Sequence, residues 1–177
     1  MCLKDLKIAL FVHESRLKQP PEGWIKANVD AVVNTSDGLA AVCGVLRNED
    51  GEWIFDFTRS LGRCSVLMDE IWVVRDTLWD AWRLGFRRVE VETDNVEVSC
   101  IFNGSSDALE GNALVHDLKD LRNRNWITRM TFVRRVQNGV ADRLARMSRR
   151  VALGLQEFMV ASVEVEALLQ KDLSVAS

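Results

Sequence analysis

The sequence predicts an α/β layer fold built on a mixed sheet, and three observations carry that expectation. Apolar and polar residues alternate with period 2 in three successive segments joined by turn signals, the pattern of an antiparallel meander. A long amphipathic helix then interrupts the strands, and beyond it strand and helix alternate, which requires a parallel crossover. The composition permits a packed core: 177 residues, 47% hydrophobic and 28% charged, with 2 Pro and 10 Gly, lie near the globular average and far from disordered or collagen-like chains. No apolar run approaches the roughly 18 residues of a membrane span. Ile8 to Val12 is also too short for a signal-peptide core, so the chain reads as neither membrane-bound nor secreted.

Residues 1–22 form an arm and linker, with an amphipathic stretch from Leu3 to Val12 and a polar run closing on Pro20, Pro21 and Gly23. A strand follows in which Ile25, Ala27 and Val29 alternate with Lys26, Asn28 and Asp30, one face buried, ending at Asp30. The loop Asn34 to Gly38 leads to a second strand, Ala40 to Arg47, and the turn Asn48-Glu49-Asp50-Gly51 to a third, Trp53 to Thr58. Ser65 caps a helix from Val66 to Leu84 with Leu67, Ile71, Val74, Leu78, Ala81 and Trp82 as its apolar stripe, stopped by Gly85. Arg88 to Thr93 is a fourth strand, Asn95 to Phe102 a helix, Ala113 to Arg122 another, and Trp126 to Val133 a fifth strand. From Val140 a basic helix begins, with Leu144 and Met147 at helical spacing. The domain therefore spans 23–150. Residues 151–177, with Leu155, Phe158, Val160, Val163 and Leu168, read as a C-terminal amphipathic helix or tail.

The net charge of -3 hides an asymmetry. Residues 1–118 carry 12 Lys and Arg against 20 Asp and Glu, whereas residues 119–150 carry 10 against 2, nine of the ten cations being Arg. An arginine-rich segment suits forked phosphate contacts and points to a polyanion partner, with a solvated helix face as the alternative. The 4 Cys have no paired spacing of the kind a zinc or redox site needs, which favours a reduced intracellular compartment, nucleus or cytoplasm.

Four acids stand where this plan would let them converge. Asp30 ends the first strand, Glu70 lies in the long helix, Asp94 follows the fourth strand, and Asp142 sits in the first turn of the last helix. Open α/β sheets collect their chemistry at such strand ends. Clustered carboxylates repel unless a cation neutralises them, and hard oxygen donors favour Mg²⁺ or Mn²⁺. Two ions about 4 Å apart support in-line displacement at a phosphodiester, so a basic segment beside such a cluster points to nucleic-acid hydrolysis.

The motifs Lys26-Ala-Asn28-Val-Asp30, Asp69-Glu70-Ile-Trp, Val-Glu92-Thr-Asp94-Asn95 and Asn138-Gly-Val-Ala141-Asp142-Arg-Leu144-Ala145 together resemble the ribonuclease H type 1 domains. The similarity is greatest to plant versions related to the nuclease domain of retrotransposon reverse transcriptases. It runs from about Pro21 to Arg150. The resemblance implies a ribonuclease H-like, five-stranded mixed sheet in order 3-2-1-4-5 flanked by helices. It also implies two Mg²⁺ ions, replaceable by Mn²⁺, on Asp30, Glu70, Asp94 and Asp142, and cleavage of the RNA strand of RNA/DNA hybrids. Separately, a monomer is expected. In the family pattern Asp30 bridges the ions, Glu70 and Asp94 flank them, and Asp142 holds the one nearer the attacking water. Arg135 and Asn138 match the family's Arg and Asn before the last helix and, with Asn28 and with Arg134 of the basic segment, are the candidate substrate-binding residues, while selection for RNA would rest on 2′-hydroxyl contacts in the minor groove.

Three positions depart from the family. Ala31 follows Asp30 where Gly is usual, Asn95 replaces a commoner Ser, and Phe132 stands ten residues before Asp142, where a His is common. A phenyl ring neither transfers a proton nor binds a metal, so the alternative reading is a weak or inactive nucleic-acid-binding domain of retrotransposon origin. His13, in the arm, and His116, on a helix, do not replace it. Trp53, Trp72, Trp79, Trp82 and Trp126 read as core in preference to base-stacking platforms.

Overall fold

The computed structural model describes residues 19–34, 36–135, 138, 141–143, 154–159, 163, 166 and 167. The amphipathic stretch of the arm, the continuation of the basic helix through Leu144 and Met147, and Val160 and Leu168 of the tail lie outside these residues.

Strands β1 (Ile25–Val33), β2 (Leu39–Arg47) and β3 (Trp53–Arg63) form the expected antiparallel meander. Helix α1 (Val66–Arg83) crosses to β4 (Arg88–Thr93), followed by α2 (Val96–Asn103), α3 (Ala113–Arg122) and β5 (Ile127–Phe132). β4 lies parallel to β1, and β5 parallel to β4. The sheet has six strands, in the order β5-β4-β1-β2-β3-β6. The expected order 3-2-1-4-5 is thus present, with one strand added beyond β3.

That added strand corrects the reading of the tail as helix in its first part. Gly154–Phe158 forms β6, antiparallel to β3 with Asp56 opposite Phe158 and Ser60 opposite Gly154. Leu155 and Phe158 have helical spacing, but β3 would otherwise present a row of unpaired N–H and C=O groups, and a short segment satisfies them by pairing. Val163, Glu166 and Ala167 are helical. β1 and β3 also run further than expected. β1 continues past Asp30 to Val33 because β2 pairs with it throughout, Lys26 opposite Arg47 and Val33 opposite Ala40. Its parallel pairing with β4 stops earlier, at Asn28 opposite Glu92. Asp30 therefore sits mid-strand, just past the point where β4 stops pairing with β1.

The core lies between one face of the sheet and α1. Ala27, Val29, Val42, Leu46, Phe55, Phe57, Ile71, Val74 and Leu78 are all buried there, and α1 packs on β1 and β2 and against α3. The close approach of α1 to β2 requires Gly44. A Cβ at that position would meet Phe57 Cε1 at 2.5 Å and Thr77 Oγ1 at 2.8 Å. The helix ends are specified locally: Ser65, Asn95 and Asn112 each accept backbone N–H groups of the following turn. Gly85, at φ +90°, takes the left-handed position after α1. Asn95, which departs from the commoner Ser, thus performs an N-cap role open to either residue.

Candidate metal centre

Asp30, Glu70 and Asp94 converge. Each offers a carboxylate oxygen, and these oxygens lie within 4.8 Å of one another. β1 supplies Asp30, the second turn of α1 supplies Glu70, and the junction between β4 and α2 supplies Asp94. Burial and the charge of Asp94 push Asp30 up to about 7. Burial, then Asp30 and Asp94, push Glu70 up to about 9. Asp94 is raised by burial too. Asp30 Oδ2 and Glu70 Oε2 are buried without a hydrogen-bond partner. An all-oxygen carboxyl set with buried oxygens left over fits a hard divalent cation, whose charge would favour the ionised forms, and suits neither a soft metal nor an apolar ligand.

Asp142 lies outside this trio. It belongs to the helical residues 141–143, and its Oδ1 accepts a hydrogen bond from Arg135 Nη2 at 2.9 Å. Its charge still raises both Asp30 and Asp94, so it borders the same site. The Arg135 guanidinium is 61% exposed and lowers Asp30 and Glu70, so the cluster has a cation at its rim. Arg134 is exposed beside it. Phe132 ends β5 opposite Thr93, with 49% of its surface exposed.

Asn28 and Asn138, expected on the substrate side, turn inward in this structure. Both are fully buried. Asn138 Nδ2 donates to the Val29 carbonyl at 2.6 Å, and its Oδ1 accepts from Asn28 Nδ2 at 3.3 Å. Asn28 also donates to Glu92 Oε2 at 2.8 Å and accepts from Arg47 Nη2 at 2.6 Å. Lys26 Nζ completes the group at 2.6 Å from Glu92 Oε1. The polar residues of β1 looked like a solvent face, yet β1 is a central strand covered on both sides. Behind it the Cys43 thiol donates to the Ala141 carbonyl at 3.0 Å. The motifs include Lys26 and Glu92 but not their pairing with each other or the role of Arg47, since alternation alone cannot tell a solvated polar face from a buried, paired one.

Part of the basic segment is also engaged internally. Arg124 stacks over Trp79 and Trp82, Arg129 over Trp24, and Arg122 donates to the Phe102 carbonyl at 2.6 Å. Trp79 is 40% exposed, so it is less a core residue than expected.

A family model described as reverse transcriptase-like matches residues 28–148. The chain belongs to this ribonuclease H-like family. A relative of this family member in Arabidopsis thaliana, named as a candidate ribonuclease H protein, is 34% identical over 154 residues, covering 86% of this chain and 25% of its own. The chain thus spans about a quarter of the length of that curated relative. Among solved structures, ribonuclease H1 of the archaeon Halobacterium salinarum superposes with a TM-score of 0.67 at 24% identity, over 73% of this chain and 99% of the archaeal one. The LC11 ribonuclease H1 from a compost metagenome, solved with an RNA/DNA hybrid, gives 0.64 at 17% identity, over 70% and 94%. These two likenesses establish the ribonuclease H fold. Among the described residues no helix is long and apolar enough to cross a membrane.

Proposed function

We propose that this domain is a divalent-metal-dependent endonuclease that hydrolyses the RNA strand of RNA/DNA hybrids. The observation that carries the reading is the convergence of Asp30, Glu70 and Asp94 within 4.8 Å, in a family and fold whose neighbour LC11 was solved with such a hybrid. Asp30, Glu70 and Asp94 would hold Mg²⁺, with Mn²⁺ as a substitute, and Asp142 would complete the set for a second ion. Bound there, such ions supply a nucleophilic water at neutral pH and charge stabilisation at the phosphate. The chain's own groups do the remainder. Asp30 and Glu70, held in low dielectric, would supply carboxylate donors, while Arg134 and Arg135 would meet phosphate oxygens, the fork of Arg135 keeping N–H groups beyond the one given to Asp142. RNA would be distinguished from DNA through its 2′-hydroxyls.

A second reading is favoured by Phe132, which ends β5 opposite Thr93, the residue before Asp94, and carries no titratable group. On that reading the domain binds hybrids and turns over slowly or not at all. Cleavage of a labelled RNA/DNA hybrid with Mg²⁺ or Mn²⁺, beside an Asp94→Asn control, separates the two. Single-turnover cleavage that is lost in Asp94→Asn supports the enzyme, and binding without cleavage supports the module. If chemistry survives and release is slow, Phe132→His raises the steady-state rate about tenfold and leaves the single-turnover rate nearly unchanged.

A further inference from the structure

We infer that Asn138 is a positioning residue that pins the Asp142 segment to β1 and so holds the fourth carboxylate at the edge of the other three. The inference rests on the metal-dependent reading above. Asn138 is fully buried and bonded on both sides of the site. Its amide reaches Val29, the residue before Asp30, at 2.6 Å, and its own carbonyl accepts the Asp142 N–H at 3.0 Å. One residue thereby ties the backbone beside Asp30 to the backbone of Asp142. The attachment falls where the sheet leaves room for it, because parallel pairing between β1 and β4 ends at Asn28 and Glu92, and the side chain binds at the next residue along β1.

The anchor is itself fixed. Asn28 bonds Asn138, Glu92 and Arg47 at once, and Glu92 lies two residues ahead of Asp94 in β4. Lys26 holds Glu92 at 2.6 Å and approaches Glu90 at 3.5 Å. Lys26 thus faces both carboxylates, while Arg47 donates to the Asn28 amide oxygen from β2. The backbone flanks of Asp30, Asp94 and Asp142 are joined through one buried network, and such outer partners of metal-ligand sets commonly govern affinity by about 10- to 100-fold.

Calorimetric titration of the full chain with Mn²⁺ tests the assignment, using wild type, Asp142→Asn, Asn138→Ala and the double variant, with Leu121→Ala in the buried core as a stability control. Asn138→Ala is expected to weaken uptake about tenfold or more, as Asp142→Asn does, and the double variant to be no weaker than Asp142→Asn alone. Leu121→Ala is expected to lose stability with uptake unchanged. Wild-type uptake in Asn138→Ala, additive loss in the double variant, or an equal loss in Leu121→Ala overturns the inference and leaves the metal reading intact. No uptake by wild type overturns both. Should Asn138→Ala fail to fold, Asn28→Ala, which keeps the Val29 bond, is expected to shift uptake in the same direction by a smaller factor, and an unshifted titration rejects the role.

Discussion

Asp56 shows at the scale of one residue how burial converts a carboxylate into a pH-dependent cost. It lies on β3 among buried neighbours, with Oδ1 lacking a hydrogen-bond partner, and burial pushes it up from 3.8 to about 6. The folded chain therefore binds more protons than the unfolded chain between those values. The stability this group contributes below about pH 4 is lost as pH rises through about 6. Asp56→Asn is expected to be more stable than wild type near pH 7.5 by about 3 kcal/mol, the difference closing toward pH 4. Urea unfolding at the two pH values checks it. A constant difference at both would mean that the carboxylate charge is not the cause.

Among the elements, β6 and α1 are tied together at the sheet edge. β6 pairs with Asp56 to Ser60 of β3, and its Glu157 meets Arg83, the last residue of α1, at 2.9 Å. Arg83 is itself bonded to the buried Asp80 at 3.1 Å. The ion pair with Glu157 is partly exposed and contributes little alone, so backbone pairing is the main attachment. Changing Leu155 and Gln156 together to Pro removes two adjacent N–H groups, and in any antiparallel register one of two neighbours bonds to the partner strand. Hydrogen exchange in the variant is expected to accelerate at the amides of Asp56 to Ser60 while β1, β2 and β4 stay protected. Unchanged exchange along β3 would show that β6 does not hold that edge.

Across the whole molecule, the acid cluster is expected to make stability depend on pH and, on the metal-dependent reading, on divalent ions. With Asp30 pushed up to about 7 and Glu70 to about 9, the metal-free protein favours their protonated forms. The stability these groups contribute at lower pH is lost as pH rises through about 7 to 9, as both ionise beside Asp94. Divalent ions are expected to restore it, by about 2.7 kcal/mol at a hundredfold excess over Kd. Asp30→Asn should flatten the pH dependence in chelator and lose the increment, read by scanning calorimetry with and without Mg²⁺. A second molecular property is the salt dependence of hybrid binding. Because Arg122, Arg124 and Arg129 serve Phe102, Trp79, Trp82 and Trp24, the slope should be smaller than ten cations imply. Arg134→Ala should lower its magnitude by about 1. Arg124→Ala should lower the melting temperature and leave the slope as it was.

What the chain determines by itself is whatever short-range pattern encodes. The strands of the meander follow from alternation, α1 from the stripe Ile71, Val74, Leu78 and Ala81 between Ser65 and Gly85, and the carboxylate order from motifs specific enough to place Asp30, Glu70 and Asp94 together before any contact is known. Tertiary structure decided what depends on partners distant in sequence. Lys26 and Asn28 have the alternation of a solvent face, but burial of β1 on both sides turned them into a paired network. Leu155 and Phe158 fit a helix equally well until the open edge of β3 supplied backbone partners for a strand. Asn138 carried the family's spacing but not its direction. Its inward turn to the Val29 carbonyl follows from where β4 stops pairing with β1, and that endpoint is a property of the sheet rather than of any one segment.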